Sequence, residues 1–88
     1  MNNINSIWEN IIRHEGDVFY TVTGLEFTYE VIGNAIQIYR DEKHGQKTIS
    51  KNNFEKALSY QQYDSKEFSN KIWGPSYVRE ILEDYRIK

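Results

Sequence analysis

The sequence predicts an α+β domain of two layers: an N-terminal helix, a three- or four-stranded antiparallel meander, then three helices over one face of the sheet. Three observations carry this. Apolar residues recur at helical spacing up to Gly16, alternate with period two through the next stretch, and return to helical spacing after Ser50. The pairs Thr23-Gly24 and Gly33-Asn34 interrupt the alternating stretch where hairpin loops are needed. Helix-start signals then follow at Ser50, Asp64 and Pro75.

In the first element, Ile4, Ile7, Trp8, Ile11 and Ile12 share one helical face, with Asn2 or Asn3 as cap and Gly16 as the stop. Val18, Tyr20 and Val22, then Leu25, Phe27, Tyr29 and Val31, read as the dry face of two strands. With two-residue loops, Val22 pairs with Leu25, Tyr20 with Phe27, Val31 with Ile36 and Tyr29 with Ile38. A third strand runs from Ala35 to Arg40. The polar loop "DEKHGQ" leads to a short fourth strand, Lys47 to Ile49. Ser50 caps the next helix, with Ile49 and Phe54 as a hydrophobic staple and Phe54, Ala57 and Leu58 as its buried stripe. Asp64 with Glu67 imitates a capping box for a short helix from Ser65 to Ile72, which Gly74 ends. Pro75 suits the first turn of a last helix whose Val78, Ile81, Leu82 and Tyr85 lie on one face.

A chain of 88 residues forms a single domain over 1–88, too small for a core plus a deep substrate cavity. The thirteen aromatic residues must supply much of that core. There is no cysteine, so no disulfide framework or thiolate metal site is available, and His14 and His44 lie far apart. The opening "NNINSIWENII" lacks the features of a secretory leader, and no apolar run reaches membrane-spanning length. A soluble cytoplasmic protein without a membrane partner is expected. The net charge is −2, distributed unevenly: through Arg40 five acids face Arg13 and Arg40, and from Asp41 onward nine bases face eight acids. Nucleic-acid binding would therefore have to come from a local patch.

Catalysis has little support, and no enzyme is expected. Neither histidine sits in a nucleophilic-triad motif; His14 reads as a solvated residue or one at the negative end of the helix dipole. Glu26 and Glu30 share the open sheet face, where alternating carboxylates usually serve solubility. The glycines are isolated, each explained by a turn or a helix stop, so no phosphate-cradling loop and no cofactor is expected. Phe19, Ile32 and Tyr39 fall on the open face with Thr21, Thr28 and Gln37. Such aromatics stack bases in single-strand binders, or are covered by helices or a dimer partner.

Arg40 follows Ile36 and Ile38 onto the dry face, so it emerges at the rim, pairs with an acid, or meets a ligand. Lys47, Lys51 and Lys56 with Asn52 and Asn53 form a basic and polar cluster at a helix N-terminus, which favours an anion. A solvated helix face explains those lysines equally well. At "WGPSY", Ser76 and the first helical N–H groups form a second helix mouth with Trp73 and Tyr77 as walls. In the competing reading both aromatics fill core.

Three blocks, "HEGDVFYTVTGLEFTYEVIGN", "TISKNNFEKAL" and "GPSYVREILEDYRI", together resemble a small uncharacterised bacterial domain. Its members carry an "EG..F.T.TG..FTYE" hairpin, an Arg-led strand end before "ISK..FEKAL", and a closing "GPSYV..IL.D.RI". The resemblance implies no established activity, and an association with bacterial and phage genes near nucleases or restriction systems. The family's Arg-Thr-Asn run before "ISK" is here Arg40 followed by "DEKHGQKT", so only Arg40 and Gly74 to Tyr77 carry over.

The expectation is a non-enzymatic binding module with nucleic acid as ligand, using Arg40, Lys47, Lys51, Asn53, Trp73, Ser76 and Tyr77. The alternative is a protein-interaction or inhibitory module, such as a phage or defence-associated regulator, working through the aromatic sheet face or homodimerising through it.

Overall fold

A computed structural model describes residues 3–40, 46–63 and 65–88. The order is α1 (Ile4–Arg13), β1 (Phe19–Tyr20), β2 (Glu26–Ile32), β3 (Ala35–Tyr39), β4 (Gln46–Ser50), α2 (Lys51–Leu58), α3 (Lys66–Lys71) and α4 (Pro75–Glu83). The strands form one antiparallel meander in sequential order, as the alternating pattern requires.

Helix starts follow the cap residues. Asn3 accepts from the Ser6 N–H, and Ser50 from the Asn53 N–H. At α3 the cap is Ser65, accepting from the Phe68 N–H at 3.1 Å, so the helix begins at Lys66 and not Ser65. Asp64, expected as the cap, lies outside the described residues, as does His44 with most of its loop. Gly74 caps α4 in the left-handed region at φ 60°, followed by Pro75 in the first turn.

The second hairpin has the expected register: Val31 opposite Ile36, Tyr29 opposite Ile38. Gly33 takes positive φ at the first loop position, which a II′ loop gives to glycine. The first hairpin differs. Phe19 pairs with Phe27 and Tyr20 with Glu26, one residue away from the expected register. The Thr21 N–H donates to the Leu25 carbonyl across a three-residue loop, and Gly24, at φ 86°, occupies its left-handed position. A one-residue slip turns every side chain over. Phe19 is therefore core and not open face, while Val18, Tyr20, Val22 and Leu25 are exposed.

The core lies between the dry sheet face and the helices. Phe27, Tyr29, Ile36, Ile38 and Ile49 from β2, β3 and β4 are buried with Ile7, Trp8, Ile11, Phe54, Phe68, Val78, Ile81 and Leu82 from the helices. A tilted ring pair joins α1 to α2, Trp8 to Phe54 at 5.9 Å, and an edge contact joins α4 to the sheet, Tyr77 to Phe27 at 4.9 Å between ring centroids. Each such side chain contributes about 1.5–3 kcal/mol by leaving water. Ile12 sits at the margin of the α1 stripe and is exposed. Tyr85, expected inside, is 84% exposed, because α4 ends at Glu83 and Asp84 is extended; Ile87 is buried in its stead.

Candidate functional site

The turn between α3 and α4 meets the start of α2 at the outer edge of β4. Gly74 fits there because it has no side chain: a Cβ at this position would stand 2.9 Å from Ile49 Cδ1. Trp73, just before it, is tied at three points. Its N–H donates to Asn53 Oδ1 at 3.0 Å, its carbonyl accepts from Asn53 Nδ2 at 2.8 Å, and its indole Nε1–H donates to the Thr48 carbonyl at 3.0 Å. Thr48 belongs to an edge strand, so the indole closes a carbonyl that the sheet leaves unpaired. Trp73 nonetheless keeps 59% of its surface in water.

Lys47 stands beside it. Its register opposite Ile38 puts it at the rim of the dry face, and its Nζ lies 5.2 Å from the Trp73 ring centroid and 5.9 Å from that of Tyr77. A cation over an exposed aromatic face is worth about 0.5–1 kcal/mol. Arg40 directly follows β3 with the parity of Ile36 and Ile38. Lying two residues beyond the strand partner of Lys47, it is a diagonal neighbour of that residue in the register. It is half-buried and has no ion pair among the described residues.

The seven expected residues do not form one surface. Lys47, Asn53 and Trp73 converge, with Arg40 at the same end of the sheet. Tyr77 lies beneath them, only 7% exposed, as core packing against Phe27. Lys51 leads toward α1, its Nζ 3.5 Å from Asn5 Oδ1. Ser76 lines a separate cleft with Val22, Tyr63, Ser69, Arg79 and Glu80. That cleft holds about 100 Å³, well short of the roughly 300 Å³ at which small-molecule sites begin.

On the open sheet face Ile32 is exposed, and the Tyr39 hydroxyl lies 3.2 Å from both Glu30 Oε1 and Gln37 Oε1. Desolvation first, and the Glu30 carboxylate second, hold the Tyr39 phenol above its usual pKa.

Sequence periodicity gave no sign of the closing cluster. Arg86 binds Asp84 through Nε and Nη2 at 2.9 Å each, donates from Nη2 to the Val18 carbonyl at 3.0 Å, and lays its guanidinium carbon 4.0 Å from the Phe19 ring centroid. These hydrogen bonds hold the Asp84 carboxyl below its usual range, against the opposing effect of burial. His14 caps the end of α1, with Nδ1 2.9 Å from Asp17 Oδ2. The only advance signal for this cluster was an Asp and an Arg two apart just beyond a helix.

Among the described residues no three His, Asp or Glu side chains group as a metal site requires. Among the same residues no helix is long and apolar enough to cross a membrane. No protein-family model matches the chain, and no curated protein or solved structure matches it either.

Proposed function

We propose that the chain is a small non-enzymatic binding module for nucleic acid, with Trp73 as its contact and Lys47 and Arg40 as the adjoining cations. One observation carries the reading: a tryptophan anchored through both backbone groups and its indole N–H still presents most of its surface to water beside a lysine. An anchored ring has little conformational freedom left to lose when a base stacks on it, a contact worth about 1–3 kcal/mol. Asn53 positions the ring and does not itself meet the ligand.

The test is quenching of tryptophan emission by mixed-sequence DNA and RNA oligonucleotides, single- and double-stranded, at low salt. Trp8 is buried against Phe54, so a surface ligand reports on Trp73. Quenching that weakens with salt, with a slope near −1.4 for two phosphates on a single strand, is expected. Affinity of the variants is read from the anisotropy of an end-labelled oligonucleotide, which needs no tryptophan: Trp73→Ala should lose most of it, and Trp73→Phe, which keeps a stacking ring and loses the bond to Thr48, should retain most of it. Failure of every oligonucleotide to shift the emission would sink the proposal.

The open face supports a second reading, contact with a protein or a second copy, because Ile32 is 52% exposed there. Glu26 and Glu30 on the same face oppose self-association. A monomeric mass at high concentration would remove the homodimer.

A further inference from the structure

The outer edge of β1 is open at one place. Because the Thr21 N–H donates to the Leu25 carbonyl, alternation along an antiparallel strand turns the Tyr20 N–H and C=O away from β2. The neighbouring outward carbonyl, that of Val18, is taken by Arg86. Tyr20 has no comparable partner among the described residues. Its side chain is 56% exposed, and those of Val18, Val22 and Leu25 are 40%, 69% and 45% exposed. Four large apolar side chains exposed within the single segment Val18–Leu25 are what a soluble domain avoids unless something covers them.

Beside this edge runs a groove along α4. One cleft is lined by Phe19, Tyr20, Glu80, Glu83, Asp84 and Arg86, and Glu80 also lines the neighbouring cleft that holds Val22 and Ser76. From Ser76 to Asp84 this is about 12 Å, the length of roughly four residues of extended chain. Its charge is acidic in effect. Arg86 is held on Asp84, and Arg79 lies between Glu83 at 3.5 Å and Glu80 at 3.9 Å with its buried Nε making no hydrogen bond, so three carboxylates against two guanidiniums leave one net negative charge, shared by Glu80 and Glu83. Burial, the largest effect on it, holds the Glu80 carboxyl above its usual range.

We propose that this groove takes an extended basic segment of another protein. The segment adds as a short strand to the Tyr20 edge, forms two main-chain hydrogen bonds there, and sets Lys or Arg side chains against Glu80 and Glu83. Charge selects this occupant over a second copy of the chain, which would bring its own α4 carboxylates, Glu80 and Glu83, against the same pair if it docked here edge to edge.

The test is an amide-resolved NMR titration of the full chain with the capped peptide Lys-Val-Lys-Val-Lys. Two comparison peptides share its length: Glu-Val-Glu-Val-Glu, and the lysine peptide with both valines N-methylated. Saturable shifts at Tyr20, Val22, Glu80 and Glu83 are expected with the lysine peptide, and not with either comparison. The double variant Glu80→Gln, Glu83→Gln should bind at least about fivefold more weakly. Should that variant lose its native spectrum, Tyr20→Lys, which adds a like charge to the edge, takes its place with the same expected loss. Equal binding of the glutamate or N-methylated peptide, absence of shifts at millimolar lysine peptide, or a doubling of mass that alone perturbs Tyr20 would each overturn the proposal.

Discussion

Replacing Gly74 by alanine tests whether the turn before α4 is fixed by backbone conformation alone or also by contact with the sheet. At φ 60° an L-residue costs about 1–2 kcal/mol. The added Cβ would also stand 2.9 Å from Ile49 Cδ1 and 3.5 Å from Ile49 Cγ1, in a core where Ile49 is wholly buried. Relieving that overlap costs about 1–3 kcal/mol. The sum, about 2–5 kcal/mol, is a large share of the stability of a small domain. Gly24→Ala is the internal control: its φ is 86° and nothing lies within 4 Å of the built Cβ, so it carries the conformational cost without the overlap. Urea unfolding of both variants gives the comparison. Gly74→Ala should be less stable than Gly24→Ala by about 1–3 kcal/mol, with unchanged m-values. Equal losses would show that Ile49 yields freely and that the turn is not braced against β4, which would also remove the rigid footing argued for Trp73.

Two further predictions follow from hydrogen bonds. Asn53→Ala removes both bonds to the Trp73 backbone; because water can replace them at this exposed site, the loss of stability should be near 1 kcal/mol, while fluorescence anisotropy of Trp73 falls toward that of a free side chain. Unchanged anisotropy would mean that the indole bond to Thr48 alone holds the ring. Tyr29 is buried and donates to the Ile11 carbonyl at 2.5 Å, so Tyr29→Phe should cost about 1–3 kcal/mol by leaving that carbonyl unpaired. Burial, reinforced by Asp17, pushes the Tyr29 phenol far above its usual value. Folding favours the protonated phenol, so its contribution is complete below the unfolded pKa near 10 and is lost progressively above it. A spectrophotometric titration should therefore show this one phenol ionising only with unfolding; reversible ionisation of all seven tyrosines in the folded chain would contradict the placement.

The second hairpin was legible because loop and strands agreed: Gly33-Asn34 as a two-residue loop puts Tyr29, Val31, Ile36 and Ile38 on one side, and no other register does. The first was not. "VFYTV" has apolar residues at consecutive positions, so alternation alone admits either Phe19 or Tyr20 inside. The choice falls to the loop, where Gly24 reads equally as part of a two-residue turn or as the left-handed position of a three-residue one. Tyr85 was misplaced for a similar reason. Asp84 leaves the helix while its carboxylate accepts from the Arg86 N–H and side chain, a local bond that periodicity cannot register. At the candidate site, the meeting of Lys47, Asn53 and Trp73 was visible as two helix mouths of compatible chemistry. The part played by Asn53 was not, because it acts on main-chain atoms twenty residues away.

A four-stranded sheet in so small a domain is mostly edge, and the unpaired groups along its borders have to be met by something other than strands. Three devices do so here. The end of α1 covers the part of β2 that short β1 leaves bare, with the Gly16 N–H on the Tyr29 carbonyl and Glu15 Oε2 accepting from the Val31 N–H. Arg86 closes the Val18 carbonyl just before β1, and the Trp73 indole closes the Thr48 carbonyl on β4. The first two devices use backbone or charged groups, which solvent tolerates when exposed. The third places a large apolar ring in water for one hydrogen bond worth about 1 kcal/mol, which a glutamine or lysine side chain could supply without exposing so much carbon. Edge closure therefore accounts for the orientation of Trp73 but not for the choice of tryptophan. That residue choice is what the binding proposal explains, and it is why Trp73→Phe, which separates the ring from the hydrogen bond, is the decisive substitution.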